Sequence, residues 1–298
     1  MINRFVALLA GWTLCHFSIA QANVSSMAFP KTDSSDWVIH HTGFSLNYVK
    51  KHRQASWVAY ELSPEKLVKI TERSDRFLPD PQVNHYSATN DDYTGTGYDR
   101  GHLAPAADMC WSIAAMKESF YFSNISPQVP GFNRGIWKQL ENQVRLWASA
   151  FDHLYVVTGP VLSIDTLTRI GLNELLVPGY FYKALLGVTD QEFYAIAYII
   201  PNKKTYLNLS DFSVSVDSAE AFTQMDLFFH LPDSIEESIE SKLTYERWDL
   251  DNKLVTQKKE TINVETKSTQ CQGVTKLGER CKNLIKNSAD FCHLHTVN

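Results

Sequence analysis

The strongest constraint on the fold comes from three nearly continuous apolar runs in the second half of the chain. His153–Leu162 (HLYVVTGPVL) is β-branched and aromatic and stops at Gly-Pro. Tyr180–Val188 (YFYKALLGV) and Glu192–Ile200 (EFYAIAYII) follow, and the last runs into Pro201. Runs of this length, bounded by turn residues, predict strands of a sheet buried on both faces. Helical patterns lie between and after them. Over residues 134–150, Trp137, Leu140, Val144 and Trp147 share one face. Ser234–Leu243 reads as a shorter acidic helix preceded by Pro232. Strands and helices mix without a regular βαβ alternation, so the expected class is α+β.

The ends of the chain read differently. Arg4, then the apolar run Phe5–Leu14, then Ala20-Gln21-Ala22 has the layout of a secretory signal. That predicts a signal peptide over 1–22 and a periplasmic or secreted mature protein, with an uncleaved anchor as the alternative. The main domain is expected over 37–249, a polar linker over 250–267 and a Cys/His-rich tail over 268–298. In the tail, Cys271, Cys281, Cys292 and His295 offer three thiolates and an imidazole, a donor set that suits tetrahedral Zn²⁺. His293 could replace His295, and a disulfide among the cysteines is the competing reading in an oxidising compartment. The segment also resembles a short Cys/His-rich bacterial tail found on unrelated proteins. Cys110 stands alone and reads as a small buried hydrophobe.

The chemistry concentrates between residues 93 and 145. Tyr93–Tyr98 (YTGTGY) reads as a turn leading into Asp99-Arg100-Gly101-His102, which places anion, cation and base together on a Gly-bearing turn. A neutral imidazole can take a proton from water, and an arginine fork can bind phosphate oxygens. The bland alternative for His102 is a hydrogen-bonded structural histidine. Asn133 and Glu141 fall eight residues apart on the predicted helix, about 12 Å along its axis, too far for one small ion to bind both directly. Direct ligation by the Asn133 carbonyl oxygen, with Glu141 acting through water, suits Mg²⁺. The bland alternative for Asn133 is an N-cap.

Asp-Arg-Gly-His, Ser123-Asn124-x-x-Pro127-Gln128 and Asn133-x-Gly135-x-Trp137-x-x-Leu140-Glu141 together resemble the DNA/RNA non-specific endonuclease family of ββα-metal nucleases. That family takes in endonuclease G-like enzymes and secreted bacterial sugar-nonspecific nucleases. The likeness extends to Trp57–Leu62, Asp75-Arg76-Phe77, Thr158-Gly159-Pro160, Val177-Pro178, Phe181-Tyr182-Lys183 and Ile200-Pro201-Asn202. The resemblance implies a central, mainly antiparallel sheet flanked by helices, with a ββα-metal unit. It implies a Mg²⁺-dependent (Mn²⁺ as a substitute) endonuclease that cuts DNA and RNA to 5′-phosphate ends. His102 would be the general base, Asn133 the Mg²⁺ ligand and Glu141 the residue orienting its water shell. Asn124 would hold the geometry, and Arg100 and Arg145 would support phosphate and developing charge, with Arg76 in a similar role. The alternatives are a phosphodiesterase of the same fold acting on another exported substrate, and a non-catalytic binding protein that uses the Cys/His tail.

Net charge, −5 from 28 Lys+Arg against 33 Asp+Glu, excludes a protein coated in positive charge. The acidity is local. Residues 205–241 contain eight acids (Asp211, Asp217, Glu220, Asp226, Asp233, Glu236, Glu237, Glu240) and no Lys or Arg. Nucleic-acid affinity would then rest on Mg²⁺ and a few arginines and would fall with added salt.

Overall fold

The computed structural model describes residues 28–163, 168–189, 192–243 and 245–248, and in the C-terminal stretch 269–270, 272 and 284–285. The expected signal peptide over 1–22 and the tail ligands Cys271, Cys281, Cys292 and His295 lie outside these residues. Two compact units are present, Met1–Thr244 and Tyr245–Asn298. Both the expected linker and the expected tail fall in the second. Its described elements are a short helix, Tyr245–Trp248, and the antiparallel pair Thr269–Gln270 with Leu284–Ile285.

The first unit contains strands β1 (Val38–His40), β2 (Ser45–Val49), β3 (Gln54–Leu62), β4 (Asp99–His102), β5 (Ile125–Gln128), β6 (His153–Pro160), β7 (Arg169–Ile170), β8 (Leu175–Leu176), β9 (Tyr180–Val188), β10 (Phe193–Pro201) and β11 (Ser213–Val214). Its α-helices are α1 (Ile113–Ser119), α2 (Lys138–Ala148), α3 (Val216–Thr223) and α4 (Asp233–Glu240). Seven strands form one antiparallel sheet in the order β1-β2-β3-β6-β9-β10-β11. The three apolar runs become β6, β9 and β10, neighbours in that sheet, and the α+β expectation holds.

Side chains alternate across the sheet. One face carries Trp57, Tyr155, Tyr182, Ala184 and Ala197, packed against Val216 and Ala219 of α3 and Leu227, Phe228 and Leu231 beyond it. The other carries Phe181, which stacks on Phe132 and packs against Trp137 at centroid distances of 5.2 and 5.8 Å, and Tyr198, 6.2 Å from Trp147 of α2. The predicted apolar face of residues 134–150 therefore docks α2 on this second face.

Two sequence expectations are corrected. Asp99–His102 is not a turn but strand β4, paired antiparallel with β5 from Asp99↔Gln128 to His102↔Ile125. The helix begins at Lys138, not 134. Phe132–Trp137 form a widened π-type turn in which Gly135 leaves the helical region (φ −103°, ψ −113°). Such turns interrupt the regular backbone ladder and are common at functional positions. β4, β5 and this turn with α2 make the ββα unit.

Asn202, just past β10, ties that unit to the sheet. Its Oδ1 accepts from Val129 N at 2.8 Å, and its Nδ2 donates to Pro127 O at 3.1 Å and Pro178 O at 2.9 Å. Three backbone groups lose their partner together in Asn202→Ala. The substitution should lower the unfolding free energy by about 2–4 kcal/mol in urea titration; an unchanged midpoint would show that the tie is not structural.

Candidate active site

Strand β4 sets the geometry. With a period of two, Arg100 and His102 project from one face of the strand. Gly101 lies between them because a Cβ there would sit 2.2 Å from the Gln128 side chain, which is itself buried. Asn124, immediately before β5, reaches back across the pair. Its Oδ1 accepts from Ala104 N at 2.9 Å, and its Nδ2 donates to Ala104 O and Ser119 O at 2.9 and 2.8 Å. This buried clasp holds the chain just after His102.

His102, Arg100, Asn133, Glu141 and Arg145 line one cleft of about 430 Å³, with Arg73, Arg134 and Lys138. A larger cleft of 590 Å³, lined by residues such as Lys31, Asp33, Asp36 and Asn47, contains neither histidine nor arginine. Volume alone would point away from the chemistry. The smaller cleft gathers five cationic side chains, Arg73, Arg100, Arg134, Lys138 and Arg145, around one carboxylate. A chain with negative net charge thus presents a locally positive site.

His102 is 9% exposed, against Phe77 and Phe120 at centroid distances of 5.4 and 4.7 Å. Its Nε2 is buried without a hydrogen-bond partner, which leaves Nδ1 to meet water. Burial, then the Arg73 charge, pushes its pKa down from 6.5 to about 3. The ring is therefore neutral and has a lone pair to offer.

Asn133 is not an N-cap; Gly131 precedes the π-type turn and Trp137 precedes α2. Its Nδ2 donates to Asp99 Oδ2 at 2.9 Å, and its Oδ1 accepts no bond among the described residues. Arg134 grips the same Asp99 through Nε and Nη2 at 2.8 and 2.6 Å. Asp99 thus turns the amide so that its oxygen is the free atom. Glu141 has no hydrogen-bond partner among the described bonds, and burial pushes its carboxyl up from 4.5 to about 7. A free amide oxygen and an unpartnered carboxylate on one cleft wall are a hard-oxygen donor set that fits Mg²⁺.

Arg145 lies in the cleft wall, but its fork is engaged. Nη1 bonds Asp108 Oδ1 at 2.6 Å and Nη2 bonds Asn142. Asp108 is fully buried and also accepts from the Tyr60 hydroxyl at 2.9 Å. Lys183 is buried near Trp137 and Tyr60, and burial lowers its pKa to about 8. Arg100 donates to Asn90, and its guanidinium carbon lies 4.4 Å from the Phe77 ring centre. Arg76 is exposed and does not line the cleft; Arg73 does. Sequence reasoning missed Arg73, Asp108 and Lys183. Lys183 stood inside a noted motif, whereas Arg73 and Asp108 carried no local signal.

The DNA/RNA non-specific endonuclease family matches residues 21–234. Human mitochondrial endonuclease G is 37% identical over 191 residues, covering 59% of this chain and 64% of that protein. Mouse mitochondrial nuclease EXOG is 31% identical over 230 residues, covering 72% and 62%. The match thus spans somewhat less than two thirds of these relatives' own length. A chain in a crystal structure of the EndoG/EndoGI complex superposes with a TM-score of 0.65 at 29% identity, covering 71% of this chain and 92% of that one.

The Asn124 clasp makes a specific prediction. Asn124→Ala should cost about 3 kcal/mol in urea unfolding, because buried backbone groups lose their partners. Asn124→Asp should be worse despite its matching size, since a carboxylate oxygen would replace the Nδ2 donor to two carbonyls. Equal stability of the two variants would contradict this.

Proposed function

The chain belongs to the DNA/RNA non-specific endonuclease family, and on that footing we propose that it is an exported, Mg²⁺-dependent endonuclease that hydrolyses phosphodiester bonds of DNA and RNA with little sequence preference. One observation carries the reading: a neutral, solvent-facing imidazole shares a cleft with a free amide oxygen, an unpartnered carboxylate and five cations. His102 Nδ1 accepts the proton of the attacking water. Arg73 and Arg100 bind the non-bridging phosphate oxygens. Arg145, with its guanidinium anchored on Asp108, adds fixed positive charge at the same wall and orients no base edge. Contacts to phosphate rather than to bases give low sequence preference. Asn133 Oδ1 would hold Mg²⁺ (or Mn²⁺) directly and Glu141 would hold it through bound water; the ion would neutralise phosphate charge and stabilise the departing 3′ oxygen, giving 5′-phosphate ends.

The proposal extends to the rest of the chain. It includes a leader over 1–22 and a periplasmic or secreted product, a reading supported by the layout of Arg4, Phe5–Leu14 and Ala20-Gln21-Ala22. No described helix is long and apolar enough to cross a membrane. Cys271, Cys281, Cys292 and His295 are proposed to hold one Zn²⁺, which metal analysis of the full chain would test. A phosphodiesterase acting on a small exported diester is the second reading of the same cleft, and relative rates on such a diester and on DNA separate the two. A pure binding protein has no use for a neutral base facing water.

Wild-type protein should degrade plasmid and RNA with Mg²⁺ and stop in chelator. His102→Ala should lower the rate by about 10²–10⁴-fold with an unchanged circular dichroism spectrum. Intact substrates across divalent ions would overturn the proposal. A pH dependence follows from Glu141. Its carboxyl is raised to about 7 in the folded protein, so below that pH a proton competes with the cation. The Mg²⁺ dissociation constant should rise by up to about tenfold per pH unit below 7 and level off above it. Glu141→Gln should abolish that dependence, and a wild-type affinity unaffected by pH would contradict the assignment.

A further inference from the structure

The sheet face away from the cleft carries a second concentration of charge. A carboxylate oxygen from each of Asp217, Glu220 and Glu240 lies within 4.8 Å of the other two. Asp217 and Glu220 are one turn apart on α3, and Glu240 is the last residue of α4. Both helices pack on β10, with Val216 and Ala219 of α3 buried in the core under this face and Ile239 of α4 packed against it. The convergence is therefore set by core packing, not by loose surface side chains. Glu220 is oriented further by accepting from Leu227 N at 2.6 Å.

Acids on a surface make no site by themselves. Glu240, however, is only 2% exposed, and its Oε1 is buried without a hydrogen-bond partner. It closes a helix, where the carbonyl dipoles disfavour a negative charge. The charged groups acting on it most strongly are all acids: Glu220, Glu236, Asp217 and Asp226. Lys31, the cation that reaches Asp226, is paired there at 3.4 Å. A buried carboxylate oxygen with no donor and no basic partner among the described residues calls for a counter-ion.

We infer that Asp217, Glu220 and Glu240 form a Ca²⁺ site, separate from the catalytic cleft, that clamps α3 to α4. The donors are hard oxygens, which select Ca²⁺ or Mg²⁺ over softer ions. Three oxygens all within 4.8 Å of one another can surround one ion with bonds of about 2.3–2.6 Å, and Ca²⁺ accepts the irregular shell of three carboxylates plus water, where Mg²⁺ demands a near-ideal octahedron. Waters would complete the shell on the solvent side of exposed Asp217.

The test uses full-length protein stripped with chelator, then titrated with CaCl₂ in thermal unfolding and equilibrium dialysis. Saturating Ca²⁺, about 100-fold above Kd, should raise Tm by roughly 5–10 °C. Wild type should retain one more Ca²⁺ per chain than Glu240→Gln, which should lose the Tm response. Asn133→Ala, lacking the cleft ligand, should keep the response. If Glu240→Gln does not fold, Asp217→Asn takes its place and should show a weakened response. The inference fails if Ca²⁺ neither raises Tm nor is retained, or if the response disappears in Asn133→Ala and persists in Glu240→Gln. It fails equally if Glu240→Gln is more stable than wild type in chelator and wild type ignores Ca²⁺, because a proton would then neutralise the cluster.

Discussion

Burial of one imidazole organises the catalytic half of this molecule. A histidine in water is about half protonated near pH 6.5 and spends part of its time unable to accept a proton. Packing His102 between Phe77 and Phe120, beside Arg73 and Arg100, removes the charged form. That state needs a rigid frame, because a buried ring with an unpartnered Nε2 would move toward water if the chain allowed it. The frame consists of the β4–β5 ladder, the Asn124 clasp and the three bonds of Asn202. The ladder's backbone bonds, Asn124 and Asn202 do not touch the reacting atoms in the proposed reaction, yet each fixes where the imidazole can be.

The same economy governs the charges. Asp99 and Asp108 do not line the cationic cleft, but each bonds and positions side chains that do. Asp99 turns the Asn133 amide and holds Arg134. Asp108 pins Arg145 and takes the Tyr60 hydroxyl. The sheet separates this cationic wall from the acidic helices α3 and α4, which pack on its other face. Net charge averages the two faces and describes neither.

Much of this was legible in the residues alone. Near-continuous apolar runs with Pro at their ends specify strands buried on both faces, and β6, β9 and β10 are found within about two residues of where they read. His102, Asn133 and Glu141 were visible because motif order preserves spacing. The strand character of Asp99–His102 was hidden, since Gly101 and the glycines before it signal a turn locally. Its pairing partner, Ile125–Gln128, lies more than twenty residues away and contains a proline. The π-type turn was hidden for a related reason. An apolar periodicity carries through Trp137, and only the backbone at Gly135 reveals the break. Arg73 reaches the cleft from a loop, and Asp108 meets Arg145 from the short 3-10 turn Ala106–Met109; no sequence period reports where such segments return.

The central claim is that the cleft holds its histidine neutral by burial, ready to accept a proton. ¹⁵N NMR titration of His102 in the metal-free protein tests this directly. The account predicts that the ring stays neutral from about pH 8 to about pH 5, with a midpoint displaced toward about 3. A midpoint at the ordinary histidine value of 6.5 would mean that burial does not control the base, and the account would be wrong.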